Sequence, residues 1–73
     1  MNRQTLKHDL WLAEAHIAQG EENVAKQRSL IVELEANGHN TASAKDLLAE
    51  LENAIRLHQA DRDRFRKALA SAE

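Results

Sequence analysis

Two histidines and a carboxylate, His16, His58 and Asp61, are the side chains whose types could do chemistry in this 73-residue chain. Two imidazoles and a carboxylate are a donor set for Zn²⁺ or another divalent ion. His58 and Asp61 stand one helical turn apart, whereas His16 lies in the other half of the chain. The set therefore exists only if the chain folds back on itself. A bundle built for di-metal chemistry carries paired carboxylates and a Glu-x-x-His repeat, and that pattern is missing. The expectation is no metal, with His16, His58 and Asp61 as the residues that would hold one. The preferred reading is a polar layer of His16, Gly20, His58 and Arg62 that fixes register or partner choice. Glu14 and Asp61 are its candidate carboxylate partners. Its histidines would also make an assembly sensitive to pH. No catalytic residue and no cofactor are expected. Ser29, Ser43 and Ser71 have no nucleophile elbow or triad partner, and no loop is rich enough in glycine to cradle a phosphate. The reading is of a binding or structural protein, not an enzyme.

The elements that must position these residues are set by Asn37-Gly38-His39-Asn40-Thr41. Gly38 can take the left-handed conformation that closes a helix. Asn40 and Thr41 are both good N-caps for a following helix, and the choice between them stays open. The spacing predicts an αα-hairpin with helices over about 4–37 and 41–70. Residues 1–73 are read as a single all-α domain.

Each predicted helix carries an apolar row at alternating steps of three and four. In the first, Leu10, Ile17, Val24 and Ile31 take heptad position a, and Leu6, Ala13, Gly20, Gln27 and Leu34 take d. In the second the row is Ala44, Leu48, Leu51, Ile55, His58, Arg62, Phe65, Leu69 and Ala72. Leu47, Ala54 and Ala68 widen it on one side. The expected intramolecular seam is Leu10, Ile17, Val24, Ile31, Leu34, Leu48, Leu51, Ile55, Phe65 and Leu69. Its tightest part is expected beside the turn, between Leu47 and Leu57. Folding about the turn makes facing positions sum to about 78 or 79, as short helix connections require. Ile31 then faces Leu48, Val24 faces Ile55 and Leu10 faces Leu69. Ala13 faces Phe65 and Gly20 faces His58, small against large. A second stripe on the first helix, Trp11, Ala15, Ala18, Ala25 and Val32, is the expected dimer face, with Trp11 as its anchor.

Composition bounds the rest. There is no proline or cysteine, charged residues make up 30%, and the net charge is −2. Disulfides and thiolate metal sites are excluded, and no general attraction to nucleic acid or an anionic membrane is expected. His8, Asp9 and Glu14 interrupt any signal-peptide core, and no run is long and apolar enough for a membrane span. A cytoplasmic protein is expected. Two helices cover only one stripe of each other, so the expected partner is a second copy forming a four-helix bundle or coiled coil. Arg3, Lys7, Arg62, Arg64, Arg66 and Lys67 gather at one end. They support the alternative of a small RNA-binding bundle, and a metal-binding bundle is the second alternative.

Several runs carry a resemblance: His16-Ile17-Ala18-x-Gly20-Glu21, Gln27-Arg28-x-Leu30-Ile31-x-x-Leu34, Gly38-His39-x-Thr41-Ala42, Leu47-Leu48 and His58-x-x-Asp61-Arg62. Together they resemble a group of short, uncharacterised helical-hairpin proteins of rhizobium-like alphaproteobacteria. The resemblance implies a bacterial source and no mechanism. The expected architecture is also similar, by fold analogy alone, to the Rop family of plasmid RNA-binding hairpins that dimerise into four-helix bundles. The function expected is a small structural or regulatory protein–protein interaction module acting as a homo-oligomer.

Overall fold

Asn2 starts the first helix. Its backbone is extended, and its Oδ1 accepts a hydrogen bond from the Thr5 N–H at 2.8 Å, satisfying one of the donors that every helix start leaves over. The computed structural model describes residues 2–71 and consists of two helices, α1 (Arg3–Ala36) and α2 (Ala42–Ser71). They lie side by side as a hairpin measuring 57 × 14 × 13 Å. The boundaries fall within a residue of those the spacing predicts. Ala72 lies outside the described residues.

The turn is built as its residue types require. Gly38 has φ +74°, the left-handed region that glycine enters without steric cost. Its N–H donates to the Glu35 carbonyl at 3.1 Å, and the His39 N–H donates to the Leu34 carbonyl at 2.9 Å. These two bonds close α1 as a Schellman motif. The restart of α2 divides between both candidate caps. Asn40 Oδ1 accepts from the Ala42 N–H at 2.8 Å, and the Thr41 carbonyl accepts the first helical bond, from Lys45, at 2.9 Å. A Cβ added at Gly38 meets nothing within 4 Å, so Gly38→Ala costs backbone strain alone. We expect a loss of about 1 kcal/mol, seen as a melting temperature about 4–8 °C lower. An unchanged melt would show that the left-handed turn is dispensable.

The seam follows the apolar rows. Leu6, Ala13, Ile17, Val24 and Ile31 of α1 are buried. Leu10, Gly20, Gln27 and Leu34 are half-buried, as are Ala44, Leu48, Leu51, Ile55, His58, Arg62, Phe65 and Leu69 of α2. Burial is not concentrated beside the turn as expected. It runs the length of α1 from Leu6 to Ile31, and no described residue of α2 is buried. Leu47 and Leu57 are exposed. The reason is that apolar content alone does not bury a residue; Leu47 and Leu57 point away from the single helix available to cover them.

One facing pair also differs. Gly20 does not meet His58. A Cβ built at Gly20 would stand 2.7 Å from Ile55 Cγ1 and 3.3 Å from Ile55 Cδ1. Gly20 packs instead against Ile55, about one turn along α2 from His58. The glycine's missing side chain is the space Ile55 occupies, which explains why a residue costing about 1 kcal/mol relative to alanine sits inside a helix.

Candidate functional site

His16 and His58 do come together across the seam, with ring centroids 4.7 Å apart and planes tilted by 44°. Asp9, Leu12, Ala13, Asp61 and Phe65 line an open recess with them, so Ala13 and Phe65 do share a neighbourhood. The rest of the expected polar layer disperses. Gly20 is occupied with Ile55. Arg62 Nε donates to Asp63 Oδ1 at 3.0 Å rather than reaching inward to the histidines. Asp61 accepts from Arg64 at 2.8 Å, and Glu14 from Arg66 at 3.3 Å. Both candidate carboxylates thus serve arginines. Among the described residues, no three of the His, Asp and Glu side chains are grouped to hold a metal ion. None of the buried side-chain nitrogens and oxygens of the described residues lacks a hydrogen-bond partner. The layer is a histidine pair at the rim of a small apolar recess.

The basic end is likewise interleaved with acids. Arg62, Arg64 and Arg66 each pair with a carboxylate, Asp63, Asp61 and Glu14 in turn. Arg64 also lies 5.4 Å over the Phe65 ring. Cations engaged this way present little net charge to a phosphate backbone. Arg3, Lys7 and Lys67 are exposed.

The sharper feature is that the two flanks of the hairpin differ. Beside the seam each helix carries one row at heptad position e and another at g. In an antiparallel pair, the e row of one helix faces the e row of the other, and g faces g. The e side is bridged at three levels by Glu14–Arg66 at 3.3 Å, Arg28–Glu52 at 2.9 Å and Glu35–Lys45 at 3.7 Å. Among the described residues, these are the ion pairs that join the two helices. Each is exposed and contributes little by itself, about 0–1 kcal/mol, but together they occupy one flank. A charged cleft between Glu21, Arg28, Glu52 and Arg56 opens there, with Val24 and Ile55 on its floor.

The g side has no such bridge among the described residues. Its rows hold Asp9, His16, Asn23 and Leu30 on α1, and Leu47, Ala54, Asp61 and Ala68 on α2. Leu12 and Leu57 stand on the shoulders. Leu30, Leu47 and Leu57 are 43%, 45% and 61% exposed. From Gly20 toward the turn the d row beneath is less covered than the a row: Gly20, Gln27 and Leu34 are half-buried where Ile17, Val24 and Ile31 are buried, while Leu6 and Ala13 earlier in the d row are buried. Gln27 Nε2 donates to the Ala44 carbonyl at 2.9 Å across this open side. The seam is bridged by ion pairs on one flank and, among the described residues, unbridged on the other.

The expected dimer face lies outward on α1. Trp11 and Val32 are 62% and 66% exposed, and Ala15, Ala18 and Ala25 are exposed between them. The Trp11 ring stacks on His8 at 6.1 Å. Sequence reasoning missed the g flank because Leu30, Leu47 and Leu57 fall in three different rows of two helices. The signal was present in the sign pattern of the e positions, Glu14, Arg28 and Glu35 against Arg66, Glu52 and Lys45. No described helix is long and apolar enough to cross a membrane. Comparison with known proteins gives no matching family model, no matching curated protein and no matching solved structure.

Proposed function

We propose that this chain is a self-associating helical hairpin, a homodimeric antiparallel four-helix bundle that works in the cytoplasm as a structural or regulatory protein–protein interaction module. The observation that carries this reading is surface area. The chain exposes 5320 Å². A compact monomer of its mass exposes about 4,500 Å² by the usual scaling. The excess, about 800 Å², is what each partner contributes to a standard stable interface. Thinness explains the excess: two rods cover one stripe each, and the five large apolar side chains that remain exposed among the described residues, Trp11, Leu30, Val32, Leu47 and Leu57, have no third element to cover them. The carboxylate of Asp61 in the histidine recess is engaged by Arg64, and the arginine–carboxylate pairs speak against a surface shaped for nucleic acid.

Light scattering across a dilution series tests the reading. The expected mass is twice that of the 8.2 kDa chain at micromolar concentration. A folded species of single-chain mass at that concentration would overturn it.

A further inference from the structure

We infer that the second copy docks on the g flank, the side of Leu30, Leu47 and Leu57, with its turn at the opposite end of the bundle and the two-fold axis passing beside Leu57. This deepens the self-association proposed above and rests on it.

Three observations single out this flank. First, the three ion pairs that join the helices among the described residues all lie on the other side. Docking there would bury six charged side chains at once, and the desolvation of buried ion pairs commonly exceeds what their attraction returns. Second, the open side exposes the half-buried part of the α1 d row, Gly20, Gln27 and Leu34, so the incomplete part of the core faces that way. Third, three large leucines are exposed along it. Trp11 and Val32 form no comparable patch, since 21 residues of helix set them about 32 Å apart.

The same flank is self-complementary. With facing positions summing to about 78, as the antiparallel seam requires, Leu57 stands level with Glu21, near the middle of the rod. An axis through that level, perpendicular to the rod, overlaps the two hairpins along their whole length. It sets Leu57 against Leu57 of the second copy and Leu12 against Leu30, and brings Leu47 level with Lys67, next to Ala68. Glu50 comes level with Arg64, opposite in sign, and Gln19 with Asn23, which can hydrogen-bond. The one like-charge meeting, Asp9 with Glu33, falls near the ends, where water screens it. A two-fold interface must be made of one patch that fits itself, and this row of residues meets that condition.

The test uses the full chain. Leu57→Cys places a thiol at the axis, where two copies bring their Cα atoms within disulfide reach. Mild oxidation is expected to yield a covalent dimer that keeps the helical circular dichroism of the parent; failure to cross-link overturns the placement of the axis. In a separate variant, Leu47→Glu with Leu57→Glu is expected to weaken dimerisation by roughly a hundredfold or more, read by sedimentation. Trp11→Ser with Val32→Ser is expected to leave it within a few-fold. A dimer that survives the two glutamates, or that dissociates with the two serines, overturns this docking face while leaving self-association intact. A wild-type chain that is monomeric throughout overturns both.

Discussion

Ile17→Ala will lower the stability of the hairpin by about 2–4 kcal/mol, and so its melting temperature by at least about 10 °C for a domain of this size. Ile17 is 7% exposed and sits near the middle of α1. It is one of five buried apolar residues among those described, all on α1. Losing three carbons there removes their transfer energy and leaves a void that two straight rods cannot readily collapse into. Helix propensity works slightly the other way, since alanine is the better former, but by only a few tenths of a kcal/mol. Phe65→Ala removes a larger group and should nevertheless cost less, about 1–2 kcal/mol, scaled down from full burial. Phe65 is half-buried on the wall of an open recess. Thermal melts of the two variants rank them directly. If Phe65→Ala proves the more damaging, the ring is buried by something besides α1, and the second copy is the first candidate.

That ranking reverses the emphasis which residue size alone suggests, and it shows what was legible in the chain. Steps of three and four located both rows, because one apolar stripe per helix is all a hairpin can bury. Gly38 with Asn40 and Thr41 located the turn, because few residues can stop one helix and start another within so short a span. Depth was not legible. Leu47 and Leu57 are as apolar as Leu48 and Leu51, and only the direction in which each points decides which of them α2 presents to α1. Layering was half legible. The sum of facing positions came out close, yet a single sum cannot say which of two residues one turn apart fills the space at Gly20, and the bulk of Ile55 fills it. The candidate site was legible as the pair His16 and His58 but not as a layer. Arg62, Asp61 and Glu14 each found a nearer opposite charge, Asp63, Arg64 and Arg66, and no spacing rule ranks such competing exposed pairs.

Gly20 gives the other large expectation, a substitution whose sign depends on its neighbour. Gly20→Ala should destabilise the wild-type chain by about 1 kcal/mol net, because forcing a methyl into a filled space costs about 1–3 kcal/mol and the gain in helix propensity returns about 1 kcal/mol. The atom in the way is Ile55 Cγ1, at 2.7 Å from where the new Cβ would stand. Cγ1 is fixed directly to Cβ on a β-branched residue with little rotamer freedom in a helix, so it cannot swing aside, and the helices themselves must part. Ile55→Val leaves a carbon at that position and should give no relief. Ile55→Ala removes it. In that background, itself less stable by about 2 kcal/mol at a half-buried site, Gly20→Ala should become stabilising by about 1 kcal/mol. A double-mutant cycle measured by urea denaturation reads the coupling between the two positions, expected at about 2 kcal/mol. If Gly20→Ala stabilises the wild-type chain as much as it does the Ile55→Ala variant, the two residues are uncoupled and the glycine is there for a reason other than close packing. If the coupling appears, the contact that sets the register of the seam is the meeting of Gly20 with Ile55, and the histidine pair one turn away takes its position from that contact.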